Sequence, residues 1–271
     1  MAGTITAMKG TSIQLIGGGR MGQALVQGMV AGGWVQPEDV AIVEVVAAQR
    51  EALAAQYPSS LIIDRPLDGV AAVLAVKPHL VVDVCAGLTA PGRVLSVAAG
   101  ITIAAMEAAL PAGTAVVRAM PNTPALVGAG AAALAGGSNA WDEDVDWAVG
   151  VLQAVGEAVV VTEPQLDAVT GLSGSGPAYV FLMAEAMTDA GVARGLTREV
   201  AGRLAMQTIY GAGKMMVETG TSPVDLRAGV TIPAGTTAAG LAALEDHGLR
   251  AAMAGAVAPA IARSVELGKA E

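Results

Sequence analysis

The stretch Ile13-Gln14-Leu15-Ile16-Gly17-Gly18-Gly19-Arg20-Met21-Gly22 decides the fold. The run 13–16 is short, β-branched and apolar, as in a buried strand. A helical pattern follows over 21–31 and stops at Gly32-Gly33. Between them, Gly17, Gly19 and Gly22 fit G-x-G-x-x-G. One such glycine permits the tight turn, one lets backbone approach a pyrophosphate, and one lets the helix pack close to the strand. The helix N-terminus adds amide donors and a partial positive charge. A glycine-rich turn alone is a weak signal, but here a strand precedes it and a helix follows. The reading is a dinucleotide-binding turn made of Gly17, Gly18, Gly19, Arg20, Met21 and Gly22.

Outward from this turn, β-rich runs alternate with helical patterns. Strands are expected over 40–43, 61–63, 70–76, 94–97, 115–120, 159–161 and, more weakly, 129–135. Helices are expected over 47–56, 103–110 and 142–155. Such alternation implies a mostly parallel sheet with helices on both faces. From about Gln165 the pattern turns wholly helical, with helices over 177–190, 198–218, 224–228, 236–246 and 249–267. Ser222-Pro223-Val224-Asp225 carries a helix-start signal, with Pro at the first helical position. The expected fold is α/β: a Rossmann-type dinucleotide-binding domain over 1–162, then an all-α domain over 163–271. The helix from Arg198 is apolar or small on most faces (Val200, Leu204, Ile209, Met215, Met216), and a helix apolar all round is buried. About a hundred residues of helix cannot bury it alone, so a subunit interface is expected.

Composition narrows the class further. At ~150 residues per domain, 271 residues make one large domain or two modest ones. Hydrophobic residues are 54% and charged residues 14%, against ~25% charged in ordinary soluble domains. Such a chain is not disordered. The single Cys85 excludes a disulfide scaffold and suits a reducing compartment. The uncharged stretch 119–141 is long enough to span a bilayer but is broken by Pro121, Pro124 and several glycines. Residues 1–9 lack a signal-peptide pattern. The net charge of −9 argues against sequence-independent nucleic-acid binding. The expectation is a cytoplasmic protein that does not bind membranes.

Several residues carry or decline chemistry. Glu44 ends the second strand, where a carboxylate would bond ribose hydroxyls and repel a 2′-phosphate; a solvated strand-end carboxylate is the plainer reading. Arg20 and Arg50 could offset a 2′-phosphate or simply face solvent, so NADH and NADPH both stay open. Ala75-Val76-Lys77-Pro78 closes the fourth strand, at the edge where parallel strands line a ligand crevice. His79 and His247 are the two histidines, and neither is expected to be a general acid. Cys85 reads as core, Trp34, Trp141 and Trp147 as packing, and the acids at 142–146 as a solvated first helical turn. No His/Cys cluster suggests a metal site.

Further blocks occur in a fixed order: Ser96-Val97-Ala98-Ala99-Gly100-Ile101-Thr102, Arg118-Ala119-Met120-Pro121-Asn122-Thr123-Pro124, Leu166 through Tyr179 with Ser173-Gly174-Ser175-Gly176-Pro177 at its centre, and Val230-Thr231-Ile232-Pro233-Ala234-Gly235-Thr236-Thr237. With the glycine turn and Ala75–Pro78, they make the chain resemble pyrroline-5-carboxylate reductases over residues 12–267. The resemblance implies an NAD(P)H-binding N-terminal domain and an interlocked helical dimer, often in rings of dimers. It assigns Ala98, Ala99 and Gly100 to the cofactor, the backbone at Ala234, Gly235 and Thr236 to the substrate carboxylate, and Thr237 to the ring nitrogen as the catalytic contact. Glu163 falls at a family position near the substrate. It implies hydride transfer to a cyclic imine, which enters as its iminium or takes a proton from water. The family pattern has Ser and Gly where this chain has Ile232 and Ala234, so a related cyclic imine carboxylate, or a catalytically impaired NAD(P)-binding relative, stands as the alternative. A β-hydroxyacid dehydrogenase would carry a lysine in the helix over 177–190, and none is there.

Overall fold

The protein is described from a computed structural model over residues 11–269; the reading of 1–9 lies outside the described residues. In chain order the elements are β1 (Ile13–Ile16), α1 (Arg20–Ala31), β2 (Val40–Val43), α2 (Ala47–Gln56), β3 (Leu61–Ile63), β4 (Ala71–Leu74), α3 (Val81–Ala86), β5 (Val94–Ser96), α4 (Ile103–Ala109), β6 (Val116–Met120), β7 (Gly130–Gly136), α5 (Asp142–Gln153), β8 (Gly156–Val160), α6 (Gln165–Val169), α7 (Gly176–Val192), α8 (Arg198–Thr219), α9 (Pro223–Gly229), α10 (Thr236–Asp246) and α11 (Leu249–Lys269).

The strands form one sheet in the order β3-β2-β1-β4-β5-β6-β7-β8. Leu15, Ile42 and Val73 enter one core cluster and their successors Ile16, Val43 and Leu74 the other, as alternation across a strand requires. Both faces are therefore apolar, and the strands read as continuous apolar runs. The polar exception in β1 is Gln14, fully buried yet satisfied: Nε2 donates to the Leu67 and Val70 carbonyls at 2.8 and 3.2 Å, and Oε1 accepts from the Leu67 amide at 2.8 Å.

The sheet is parallel except that β6 and β7 are antiparallel. The link between them holds only a 3-10 turn, Thr123–Val127, and is too short for a crossover helix. β4 is shorter than the expected 70–76, because the chain turns away into Lys77-Pro78. Cys85 is buried as expected, and burial pushes its thiol up to about 11. Trp147 packs beneath the Arg93 guanidinium, while Trp34 lies against Gly150 on one side and is 38% exposed. Trp141 departs from expectation: it is 75% exposed at the N-cap of α5.

Strand gives way to helix after Val160, where the sequence predicts it. The chain divides into compact units elsewhere: one runs up to Gly174 and includes the segment from Ala260 on, and the other is Ser175–Pro259. The reason is Leu166 on α6, 1% exposed, which enters the same core cluster as Met106, Val116 and Ala133.

The unit Ser175–Pro259 has a different character. α7 and α8 touch closely, with Gly191 against Ala201, and Ala201 and Ala205 are its buried residues. Phe181, Leu182, Leu204, Met206 and Tyr210 are exposed. The α8 helix, expected to be buried, is thus largely uncovered in a single chain. Among the described residues no helix is long and apolar enough to cross a membrane.

The packing of α6 yields a test. Leu166→Ala should destabilise the protein by about 2–5 kcal/mol, as core Leu truncations do. Chemical denaturation measures it; an unchanged midpoint would show that α6 is not anchored in the sheet core.

Candidate active site

The turn between β1 and α1 shows why each glycine is there. Gly17 sits at φ +107, and a Cβ on it would stand 2.8 Å from the Ala75 carbonyl oxygen. A Cβ on Gly22 would meet the Gly17 carbonyl oxygen at 2.3 Å and Leu15 Cδ2 at 2.7 Å, so α1 presses directly on β1. Gly19 has nothing within 4 Å of that position, which leaves its face open to a ligand. Gly19 is also the N-cap of α1, with no side-chain cap and no acidic residue in the first turn. The free amides and the dipole therefore favour an anion. The residues present fit a dinucleotide pyrophosphate.

A cleft of about 670 Å³ opens beside this turn. Gly17, Gly19, Glu44, Ala75, Val76 and Lys77 line it, joined by Gln49, His79 and Asp83. It lies where the carboxyl ends of β1, β2 and β4 meet, the usual ligand crevice of such sheets. The Glu44 carboxylate points back to the turn, accepting from the Gly18 amide at 3.2 Å and from the Val46 amide at 2.9 Å. Arg50 donates to the Glu44 and Val45 carbonyls at 2.9 and 2.8 Å. Two residues that the sequence reading missed steady the turn: Gln23 and Gln49 both donate to the Gly18 carbonyl at 2.8 Å. Arg20 is exposed at the start of α1, Met21 packs against the core, and Lys77 and Pro78 are exposed after β4.

Ala98, Ala99 and Gly100 do not line that cleft; they form the loop after the neighbouring strand β5. Ala98 is buried, Ala99 exposed, and Gly100 lies at φ +86. Glu163 approaches the end of this loop. Its Oε1 accepts from the Ile103 amide at 2.7 Å and from Arg118 Nη1 at 2.9 Å. Asn122, on the turn after β6, accepts from the Ala131 amide at 2.9 Å and donates to the Ser173 carbonyl at 3.0 Å. Ser173 sits in a π-helical turn, Thr170–Gly174, of the kind frequent at functional sites. The sequence marked Arg118 and Asn122 only as members of a block; their partners lie 45 and 51 residues away.

The Ser175–Pro259 unit carries the second group of expected site residues. The Gly235 amide donates to the Ile232 carbonyl at 2.9 Å, closing a turn with Pro233 second and Ala234 third. Ala234 lies at φ +59, unlike any other non-glycine described residue. Proline followed by a positive φ is the pattern of a type II turn. Gly235 is the N-cap of α10, with no side-chain cap and no acid in the first turn. Thr236 and Thr237 are exposed on that first turn, and Ile232 is 71% exposed beside it. This turn fits a carboxylate. His247 ends the same helix, its Nδ1 2.7 Å from the Ala243 carbonyl oxygen, a local helix-end contact.

A doubly wound sheet, a glycine-built phosphate turn and a helical unit later in the chain define a Rossmann-type oxidoreductase. Comparison with known proteins names the family. A model described as pyrroline-5-carboxylate reductase dimerisation matches residues 163–267, and one described as NADP oxidoreductase, coenzyme F420-dependent, matches 12–100. A pyrroline-5-carboxylate reductase of Methanosarcina acetivorans is 44% identical, covering 97% of this chain and 100% of the relative. The structure of one from Coxiella burnetii superposes with a TM-score of 0.89 at 35% identity, covering 96% of this chain and 99% of that one. A Plasmodium falciparum pyrroline carboxylate reductase, crystallised with NADP bound, gives 0.79 at 27% identity, covering 97% and 100%. The chain belongs to the pyrroline-5-carboxylate reductase family.

The strained Ala234 gives a direct expectation. A left-handed conformation costs an L-residue about 1–2 kcal/mol, and glycine loses somewhat more entropy on folding. Ala234→Gly should therefore raise stability by about 0.5–1 kcal/mol in denaturant titration. A loss of stability would show that the turn does not hold this conformation.

Proposed function

We propose that the protein reduces 1-pyrroline-5-carboxylate to L-proline with NADH or NADPH, closing proline biosynthesis. The observation that carries this reading is the uncapped glycine turn at the N-terminus of α1, in a member of this family. When bound, the dihydronicotinamide supplies a hydride to the imine carbon while the ring nitrogen gains a proton. The glycine turn holds the pyrophosphate, and Lys77, Arg20 and the loop 98–100 complete the cofactor contacts. The amides of Ala234, Gly235 and Thr236 hold the substrate carboxylate, and the Thr237 hydroxyl orients the imine nitrogen. No side chain is assigned as the acid; the substrate arrives as its iminium or takes its proton from water. Orientation then supplies most of the acceleration.

The Glu44 carboxylate favours NADH, since its charge at the end of β2 repels a 2′-phosphate. The sheet unit serves the cofactor, and the helical unit Ser175–Pro259 serves substrate and dimerisation, a second copy covering the apolar faces of α7 and α8. The single buried cysteine supports a cytoplasmic location. Ile232, exposed and apolar beside the carboxylate turn, supports one further reading: a cyclic imine carboxylate with an apolar substituent.

Purified protein given pyrroline-5-carboxylate should oxidise NADH with a higher kcat/KM than NADPH and release proline. No oxidation of either would remove the main reading. Thr237→Val should lower kcat at least about tenfold, in the range of lost positioned hydrogen bonds at reacting centres, with NADH affinity unchanged. Unchanged turnover would remove Thr237 from the chemistry.

A further inference from the structure

Arg118 lies at the middle of β6, is only 8% exposed, and has one carboxylate partner among the described residues. A guanidinium so buried needs its counter-charge. That partner, Glu163, sits between the last strand and α6, and the same Oε1 that meets Arg118 also accepts the Ile103 amide. Ile103 opens α4, and the Thr102 side chain caps that helix by accepting from the Ala105 amide at 3.2 Å. The carboxylate thus fixes the far end of the loop 97–102. The near end is fixed by the Val97 amide, which donates to the Leu74 carbonyl at 3.1 Å.

A second anchor comes from the same short segment. Asp167 accepts from the buried Ser264 hydroxyl at 2.7 Å, which holds the last turns of α11. Those turns lie against Gly100: a Cβ on Gly100 would be 3.9 Å from Leu267 Cβ, and one on Gly268 would be 3.3 Å from the Gly100 carbonyl oxygen. The loop is therefore gripped at its base by Glu163 and at its bend by α11, both organised by residues 163–167.

We infer that Glu163, braced by Arg118, is a positioning residue that shapes the loop 97–102 for the dinucleotide, not a ligand of the substrate. The inference rests on the reading of Ala98, Ala99 and Gly100 as cofactor contacts. Its physical basis is the charge on Oε1: a carboxylate holds a buried guanidinium and an amide at one point, and a neutral amide side chain holds them more weakly. The freed loop then samples several conformations, and the bound form is selected at a loss of affinity.

The test is the Kd of NADH measured by fluorescence without any imine, together with KM and kcat for pyrroline-5-carboxylate. Glu163→Gln should raise the NADH Kd about threefold and Glu163→Ala about tenfold, with KM for the imine changed less than about twofold. Ser264→Ala, which leaves the buried ion pair intact, should raise the Kd about twofold in a protein of near-normal melting temperature. Ala99→Asp reports on the underlying reading, since a carboxylate in the loop should repel the cofactor. If Ala99→Asp weakens NADH but the Glu163 variants, folded by circular dichroism, do not, the positioning role is wrong and the loop reading stands. If neither changes the Kd, both are wrong. If the Glu163 variants raise only the KM of the imine, Glu163 is a substrate ligand and the inference is overturned.

Discussion

The unit Ser175–Pro259 cannot bury its own apolar side chains. Five helices make it up in whole or part, yet only Ala201 and Ala205 among its residues are buried. At roughly 25 cal/mol per Å² of apolar surface, leaving Phe181, Leu182, Leu204, Met206 and Tyr210 in water forgoes much of what holds such helices together. A patch of this kind marks an interaction surface. The family's dimerisation model spans this unit, which supports self-association through these faces. The exposed apolar faces, not a shortage of charge in these helices, set this unit apart from the sheet. The sheet half is different, because two core clusters on opposite faces and a satisfied Gln14 let it hold itself.

Charge also bears on the site. The net charge of −9 works against an anionic cofactor and an anionic substrate. The two helix starts that fit anions offer backbone. At α1 the open face of Gly19 and an uncapped first turn fit a phosphate, and at α10 a proline turn and an uncapped Gly235 fit a carboxylate. Neither first turn carries an acid, although Asp142, Glu143 and Asp144 crowd the start of α5.

How much of this could be read from the residues depends on the range of the interaction. The glycine turn is local, so its three roles were legible, and each glycine has the neighbours that the motif demands. The alternation of strand and helix is local too, as is the change to helix after Val160. The antiparallel β7 was not legible, because its Ala/Gly sequence has no directional mark; only the short link from β6 reveals it. The compact division after Gly174 was hidden because one side chain, Leu166, carries α6 into the sheet core. The partners of Arg118 and Asn122 were out of reach of any local pattern. Ala234 lies between: it stands where the family pattern has glycine, and the backbone there has a positive φ of +59°. Trp141 was read as packed and is exposed, since an aromatic at a helix start has no periodicity to place it.

One measurement bears most directly on the uncovered helical unit. Sedimentation equilibrium of the full chain, from nanomolar to micromolar concentration, reports whether its apolar faces are ever free. A dimer or a larger assembly of dimers at every concentration at which the protein is folded and active is the expected result. A folded, active monomer would contradict it, because the faces of α7 and α8 would then be stable in water.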